Sequence, residues 1–326
     1  MNRDRIRWGI IGCGDVTERK SGPAFSQIEH SELYAVMRRT TDKAKDYARR
    51  HNVSTWYDDA DALIYDQNVD AVYIATPPGT HAYYALKVAE AGKPAYVEKP
   101  MARTYAECRQ MVDFFEGRNV PLYVAYYRRR LPIFLKLKEL LEKREIGDLL
   151  SVRLSLMKAP RREDFNEHKP WRLNPIHAGG GYFYDMASHQ LDMLDFLFGP
   201  LGKAYGITSN RGGYYEVEDT VQALIELPTG IGVTGEWSFV ADPALQRDSF
   251  TITGKEGVIR LSTFGEVPLQ VIKGDQVESY PFPKPDPIQK PLIQSIVGEL
   301  RGEDICPSTG ITAARINRVM EQIIYG

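Results

Sequence analysis

The sequence holds three cysteines, Cys13, Cys108 and Cys306, far apart and with no Cys-x-x-Cys among them. That excludes a disulfide framework and a thiolate zinc site, and makes a reducing cytoplasm the simplest expected compartment. No apolar run approaches the ~18 residues that a membrane-spanning helix needs, so no span is expected. Met1-Asn2-Arg3-Asp4-Arg5 leads straight into a strand pattern and lacks the apolar stretch of a signal peptide. Basic residues do not gather: Arg128-Arg129-Arg130 is the tightest cluster and the net charge is −2, so no nucleic-acid partner is expected. His168, His177 and His189 lack the short spacings of a metal site, and none is expected. There is no Gly-x-Ser-x-Gly elbow and no Walker loop, which argues against a serine hydrolase and a P-loop nucleotidase.

What remains is a globular chain of 326 residues, 43% hydrophobic and 26% charged. That is one large or two ordinary domains, able to bury roughly 75% of the unfolded surface without covalent staples. Residues 1–125 alternate strand and helix signals. Strands are expected at Ile6–Ile11, Glu32–Arg38, Asp70–Ala75, Ala95–Val97 and Leu122–Ala125. Helices are expected at Asp42–His51, Asp58–Tyr65, Thr80–Ala91 and Thr104–Arg118, most opening on Ser, Thr or Asp. Such alternation predicts an α/β fold: a doubly wound parallel sheet with helices on both faces. Val69–Ala75 is apolar almost throughout, as a doubly buried strand should be.

Residues 126–326 read as a second domain. Helices are expected at Pro132–Lys143 and Tyr184–Phe198. Strand runs at Leu149–Leu156, Lys203–Ser209, Thr220–Leu227, Gly232–Val240, Ser249–Gly254, Gly257–Leu261 and Leu269–Ile272 imply an antiparallel or mixed sheet. Pro281–Pro291 holds five prolines and reads as an ordered surface loop, followed by helices at Ile288–Leu300 and Ile311–Ile324.

Gly12-Cys13-Gly14 follows the first strand, where a dinucleotide site needs bare, flexible backbone near the pyrophosphate, with Asp15 and Val16 opening the next helix. Thr17 stands in place of that pattern's third glycine. The second strand ends in Arg38-Arg39 where NAD sites carry an acid for the ribose hydroxyl. Guanidinium forks suit a 2′-phosphate, so NADP is the expected cofactor, with NAD the alternative. Thr76 and Pro77 follow the strand after that, at the cofactor edge; His81 either lines the nucleotide site or is simply a first-turn helix residue. Glu98-Lys99-Pro100 sits at a strand end, and the proline restricts where the lysine leaves the sheet. Far downstream, Asp185 and His189 stand four apart behind Gly179-Gly180-Gly181, and with Asp192 they would share one α-helical stripe. An ammonium, an imidazole and a carboxylate near a dinucleotide suit proton management at an alcohol carbon while a hydride leaves or arrives. Trp171, Arg172 and Tyr184, with Tyr182, are candidate substrate contacts, since aromatic faces and forked donors suit polyhydroxylated rings; ordinary packing is the alternative.

These pieces resemble the Gfo/Idh/MocA family. The matching residues are Gly9-Ile-Ile-Gly-Cys-Gly14, Thr76-Pro77 with His81, Glu98-Lys99-Pro100, Trp171-Arg172, Gly179-Gly-Gly-Tyr-Phe-Tyr-Asp-Met-Ala-Ser-His-Gln-Leu-Asp192 and Thr253-Gly-Lys-Glu-Gly257. The resemblance implies an N-terminal Rossmann domain, a C-terminal domain with a large open sheet, and homodimers or homotetramers built through that sheet. It implies NAD(P)-dependent hydride transfer on a sugar, polyol or related small molecule. Lys99, Asp185 and His189 would be the catalytic residues. Gly12, Gly14, Asp15, Val16, Arg38, Arg39, Thr76, Pro77, His81, Glu98 and Lys99 would hold the cofactor. Arg38 stands where NAD-using members often have Asp, and Tyr126-Tyr127-Arg128 is an unusually aromatic and basic entry to the second domain. A redox-neutral glycosidase using its nicotinamide transiently, and a dinucleotide-sensing regulator, stay open as alternatives.

Overall fold

The computed structural model describes residues 4–265 and 267–326; Met1–Arg3, part of the N-terminal segment considered above, lie outside them. The chain divides into two compact units, Met1–Leu131 with Lys284–Ala314, and Pro132–Pro283 with Arg315–Gly326. This differs from a single cut after residue 125, because the first unit runs on to Leu131 and the chain returns to it from Lys284, within the proline-rich stretch.

The first unit is built on β1 (Ile6–Ile11), β2 (Ser31–Met37), β3 (Thr55–Tyr57), β4 (Ala71–Ile74), β5 (Ala95–Val97) and β6 (Leu122–Val124). They form one sheet in the order β3-β2-β1-β4-β5-β6, every pair parallel. Its helices are α1 (Asp15–Arg19), α2 (Gly22–Gln27), α3 (Thr41–Arg50), α4 (Ala60–Ile64), α5 (His81–Glu90) and α6 (Tyr105–Glu116). Ile10, Val36, Val72, Ile74, Val97 and Val124 are fully buried, and side chains of this kind contribute roughly 1.5–3 kcal/mol each. Close packing reaches the backbone: a Cβ on Gly9 of β1 would lie 2.6 Å from Leu63 of α4. Strand order reverses between β1 and β4, which opens a crevice at their carboxyl ends.

The second unit opens with α7 (Pro132–Glu142) and β7 (Leu149–Met157), then α8 (Pro175–Ala178) and α9 (Ser188–Phe198). There follow β8 (Ala204–Ser209), β9 (Thr220–Glu226), β10 (Gly232–Ser238), β11 (Arg247–Gly254), β12 (Val258–Leu261), β13 (Leu269–Lys273) and β14 (Gln276–Tyr280). These strands make an eight-stranded sheet, β14-β13-β12-β11-β7-β10-β9-β8, antiparallel except where β10 meets β7. The last helices are α10 (Lys290–Arg301) in the first unit and α11 (Gly310–Tyr325), whose residues are shared between the two. Within the second unit α11 presses on β8 so closely that a Cβ on Gly206 would sit 2.1 Å from the Ile323 carbonyl oxygen. Among the described residues no helix is long and apolar enough to cross a membrane.

One expected helix differs. Residues Tyr184–Phe198 are not a single α-helix: Phe183–Ala187 form a π turn, and α9 starts only at Ser188. Phe183 packs edge-on to Trp237 with ring centroids 5.2 Å apart, and Tyr184 covers Gly180. Packing of these two buried rings overrides the local α-helical spacing, so Asp185 and His189 belong to different turn types rather than to one stripe.

Candidate active site

In the first unit, the loop after β1 lies directly against the loop after β4. Gly12 has φ +90°, and an added Cβ would meet the Thr76 Cγ2 at 2.7 Å, so a side chain is excluded by conformation and by space. Gly14 is different: a Cβ there would find only the Gly12 carbonyl oxygen, at 3.8 Å, leaving its open side for a ligand. Thr17, in place of the third glycine, is buried. Its hydroxyl accepts from the Gly14 N–H at 2.9 Å and donates to the Gly14 carbonyl at 2.8 Å, closing the loop on itself. Asp15 is exposed and Val16 half-buried beside it. Burial pushes the Cys13 thiol up to about 11, which keeps it protonated and unreactive at neutral pH.

Arg38, at the end of β2, donates from Nη1 to the Cys13 carbonyl at 3.1 Å, so its guanidinium is tied to the glycine loop; Arg39 is exposed. His81 is fully enclosed. Its Nε2 lies 2.7 Å from the Thr76 carbonyl oxygen, and its Nδ1 lies 3.1 Å and 3.2 Å from those of Pro100 and Met101. Burial lowers its pKa. The ring braces the Thr76-Pro77 loop to the loop after Lys99, and opens α5, rather than presenting a surface of its own.

Glu98 is buried at the end of β5, and its carboxylate is held by protein donors. Tyr73 donates to Oε1 at 2.5 Å, Gln289 donates through Nε2 to the same oxygen at 2.7 Å, and the Lys99 backbone N–H donates to Oε2 at 3.2 Å. Lys99 itself is half-buried and precedes a cis peptide to Pro100. Sequence reasoning missed Tyr73 and Gln289; nothing local in either segment points to Glu98.

In the second unit, the three glycines serve packing. Gly179 takes φ +82°, a Cβ on Gly180 would lie 2.2 Å from the Tyr184 ring, and one on Gly181 would lie 2.5 Å from Val217. Asp185 meets Arg172 at 3.5 Å, and the Arg172 guanidinium stacks 4.6 Å above the Trp171 ring. The structure therefore brings together Trp171, Arg172 and Asp185. Tyr184 is buried over Gly180, while Tyr182 donates to the buried Asp164 at 2.5 Å. His189 is buried in the first turn of α9, its ring 5.9 Å from that of Phe264 in edge geometry. Phe264 lies in a turn held by one carboxylate: Asp248 accepts from the backbone N–H groups of Thr263, Phe264 and Gly265 at 3.1, 2.6 and 2.8 Å. Next to His189, Gln190 accepts from the Trp237 indole at 2.6 Å and donates to Thr263 at 3.2 Å, which seats α9 on the sheet. Among the described residues no group of three His, Cys, Asp or Glu side chains could hold a metal ion.

Against known proteins, residues 6–126 match the model described as "Oxidoreductase family, NAD-binding Rossmann fold", and residues 134–260 match the GFO/IDH/MocA C-terminal domain. The chain is 39% identical over 321 residues to an oxidoreductase, P35, of Formosa agariphila, covering 97% of this chain and 98% of that one. The chain belongs to the Gfo/Idh/MocA oxidoreductase family. A second relative of this Gfo/Idh/MocA chain, the trans-1,2-dihydrobenzene-1,2-diol dehydrogenase of Mus musculus, is 29% identical over 86% of this chain and 80% of its own. Among solved structures, a levoglucosan dehydrogenase in complex with NADH superposes with a TM-score of 0.88 at 24% identity, over 98% of this chain and 96% of that one, which shows the shared fold.

Proposed function

We propose that this Gfo/Idh/MocA oxidoreductase uses NADP in preference to NAD and acts on a ring-borne hydroxyl or ketone of a sugar, polyol or cyclic diol. The dinucleotide fits the residues present. Gly12 and Gly14 leave bare backbone at the crevice, and Arg38 brings a forked cation to the same loop. Gly12, Gly14, Asp15 and Val16 would face the pyrophosphate, Arg38 and Arg39 the 2′-phosphate, and Thr76 and Pro77 the opposite wall. When bound, the nicotinamide accepts or supplies the hydride. This chain's own groups manage the oxygen. His189 takes the hydroxyl proton in oxidation and returns it in reduction, Lys99 holds the oxygen as it gains negative charge, and Asp185 orients a neighbouring hydroxyl from its place beside Arg172. Trp171 and Arg172 offer a flat face and a fork to a polyhydroxylated ring, and the buried Tyr184 shapes the wall behind them.

The observation that carries the reading is the Glu98 carboxylate, buried under three donors, which fixes the Lys99 backbone at the carboxyl edge of the parallel sheet. Two named relatives, a cyclic-diol dehydrogenase and a levoglucosan dehydrogenase, support the substrate class. The test is a turnover panel of pyranoses, inositols, cyclic diols and keto sugars with NADP(H) and NAD(H). Reduction or oxidation of at least one cyclic polyol, faster with the phosphorylated cofactor, is expected; no redox turnover across the panel, or hydrolysis of glycosides instead, would refute it.

The second unit also supports self-association. α11 covers one face of β8, while Tyr205, Ile207 and Leu224 on β8 and β9 stand 59%, 75% and 54% exposed. An exposed apolar sheet face of this kind suits a second copy of the same chain, as in a homodimer or, through two such contacts, a homotetramer.

A further inference from the structure

We infer that Gln289 is a positioning residue for Lys99, acting through Glu98; the inference rests on the role assigned to Lys99 above. Gln289 stands 191 positions from its partner Glu98, in the segment that returns to the first unit just before α10. It is 1% exposed, and every polar group it owns that bears on the site is engaged. Its Oε1 accepts from the Tyr96 hydroxyl at 2.7 Å, which turns the amide so that Nε2 faces Glu98 and donates at 2.7 Å. Its backbone N–H donates to the Lys20 carbonyl at 3.1 Å, at the end of α1 behind the glycine loop. A single residue, through its backbone on one side and its side chain on the other, therefore links the first helix of the phosphate loop to the carboxylate that holds the Lys99 N–H.

The chemistry of the link is directional. Tyr73 and Gln289 place two donors on one oxygen of Glu98, leaving the other for the Lys99 backbone at 3.2 Å. Two neutral donors stabilise the buried carboxylate without adding a cation that would compete with Lys99. Were the amide donor lost, the carboxylate would keep only Tyr73 on that oxygen and could rotate, taking the Lys99 backbone with it. Misplacement of a reacting group by about 1 Å can cost on the order of 100-fold in rate.

The experiment is a double-mutant cycle in the full-length protein, on a substrate found active in the panel. Gln289→Met removes the donor at nearly constant volume; Tyr73→Phe removes the other donor with a smaller change and serves if Gln289→Met does not fold. Each is made in the wild type and in Lys99→Ala, and kcat, KM and the dinucleotide Kd are measured. In the wild type, Gln289→Met is expected to lower kcat by roughly 10–100-fold and Tyr73→Phe by a smaller factor, with the dinucleotide Kd within about twofold. In the Lys99→Ala background both are expected to lower kcat less than twofold, since the group they position is gone. An equal loss in both backgrounds, or no loss in the wild type, would overturn the inference while leaving the role of Lys99 standing. A Lys99→Ala protein with full kcat would instead overturn the reading on which it rests.

Discussion

The proposed preference for NADP is tested most sharply at Arg38. The guanidinium carries five N–H donors, and one of them, on Nη1, is already bound to the Cys13 carbonyl at 3.1 Å. The rest remain for a bidentate grip on a 2′-phosphate. Two charged hydrogen bonds at about 1.5–3 kcal/mol each amount to about 3–6 kcal/mol. At 1.4 kcal/mol per tenfold, that is a loss on the order of 10²–10⁴ in NADPH affinity for Arg38→Ser. Affinity for NADH should move far less, because NADH has no 2′-phosphate for the guanidinium to grip and only the bond to the Cys13 carbonyl within the protein is lost. Arg39, being exposed, should contribute less than Arg38 when replaced alone. Fluorescence titration of wild type, Arg38→Ser and Arg38→Ser/Arg39→Ser with NADPH and NADH gives the six constants needed. An unchanged NADPH Kd in the double variant, or a wild type that binds NADH as tightly as NADPH, would refute the reasoning.

Gly180→Ala should place a Cβ 2.2 Å from the buried Tyr184 ring, and overpacking of that kind costs about 1–3 kcal/mol; thermal denaturation should register it, and an unshifted Tm would contradict the packing account. Burial raises the pKa of Glu218, whose Oε1 is enclosed and has no hydrogen-bond partner among the described residues, against the downward pull of its own and the Gly181 backbone N–H. A carboxyl with a raised folded pKa adds stability below its unfolded pKa and loses it as pH rises through the folded value. Glu218→Gln should therefore stabilise the protein more at pH 8 than at pH 4, and an equal Tm shift at both would show the carboxyl is not penalised. Ile207→Glu with Leu224→Lys should lower the molar mass seen by sedimentation towards that of one chain while the secondary structure stays intact; an unchanged assembly would place the interface elsewhere.

The sequence made the first unit legible where burial dictates the residues. β1 and β5 occupy the expected positions because apolar runs end on glycine or on a charged residue at the sheet edge. β3 escaped notice because it is three residues long with a partly exposed Trp56, and β14 because all its residues but Tyr280 are exposed and carry no buried face. The return of Lys284–Ala314 to the first unit has no local signature, since its anchors are long-range: Gln289 to Glu98 and Tyr96, and Ser308 to the Val124 carbonyl at 2.7 Å. Among the proposed site residues, Lys99, Asp185, His189 and the Trp171-Arg172 pair stand out in the sequence as residue types, and the structure places Arg172 against Asp185. The glycine run was readable as close approach, but the approaching groups are Tyr184 and Val217. The π turn could not be read, because it is set by where Phe183 and Tyr184 find partners. Asp248, which holds the Phe264 turn beside His189, lies on another strand and carried no motif.

The central claim is that His189 moves the proton of the reacting hydroxyl. Its most direct measurement is single-turnover oxidation of bound NADPH by stopped flow, comparing wild type with His189→Ala on the best keto substrate of the panel. The account predicts a step slower by roughly 10²–10⁴ with NADPH still bound at near wild-type affinity. A His189→Ala protein that turns over at the wild-type rate would contradict it.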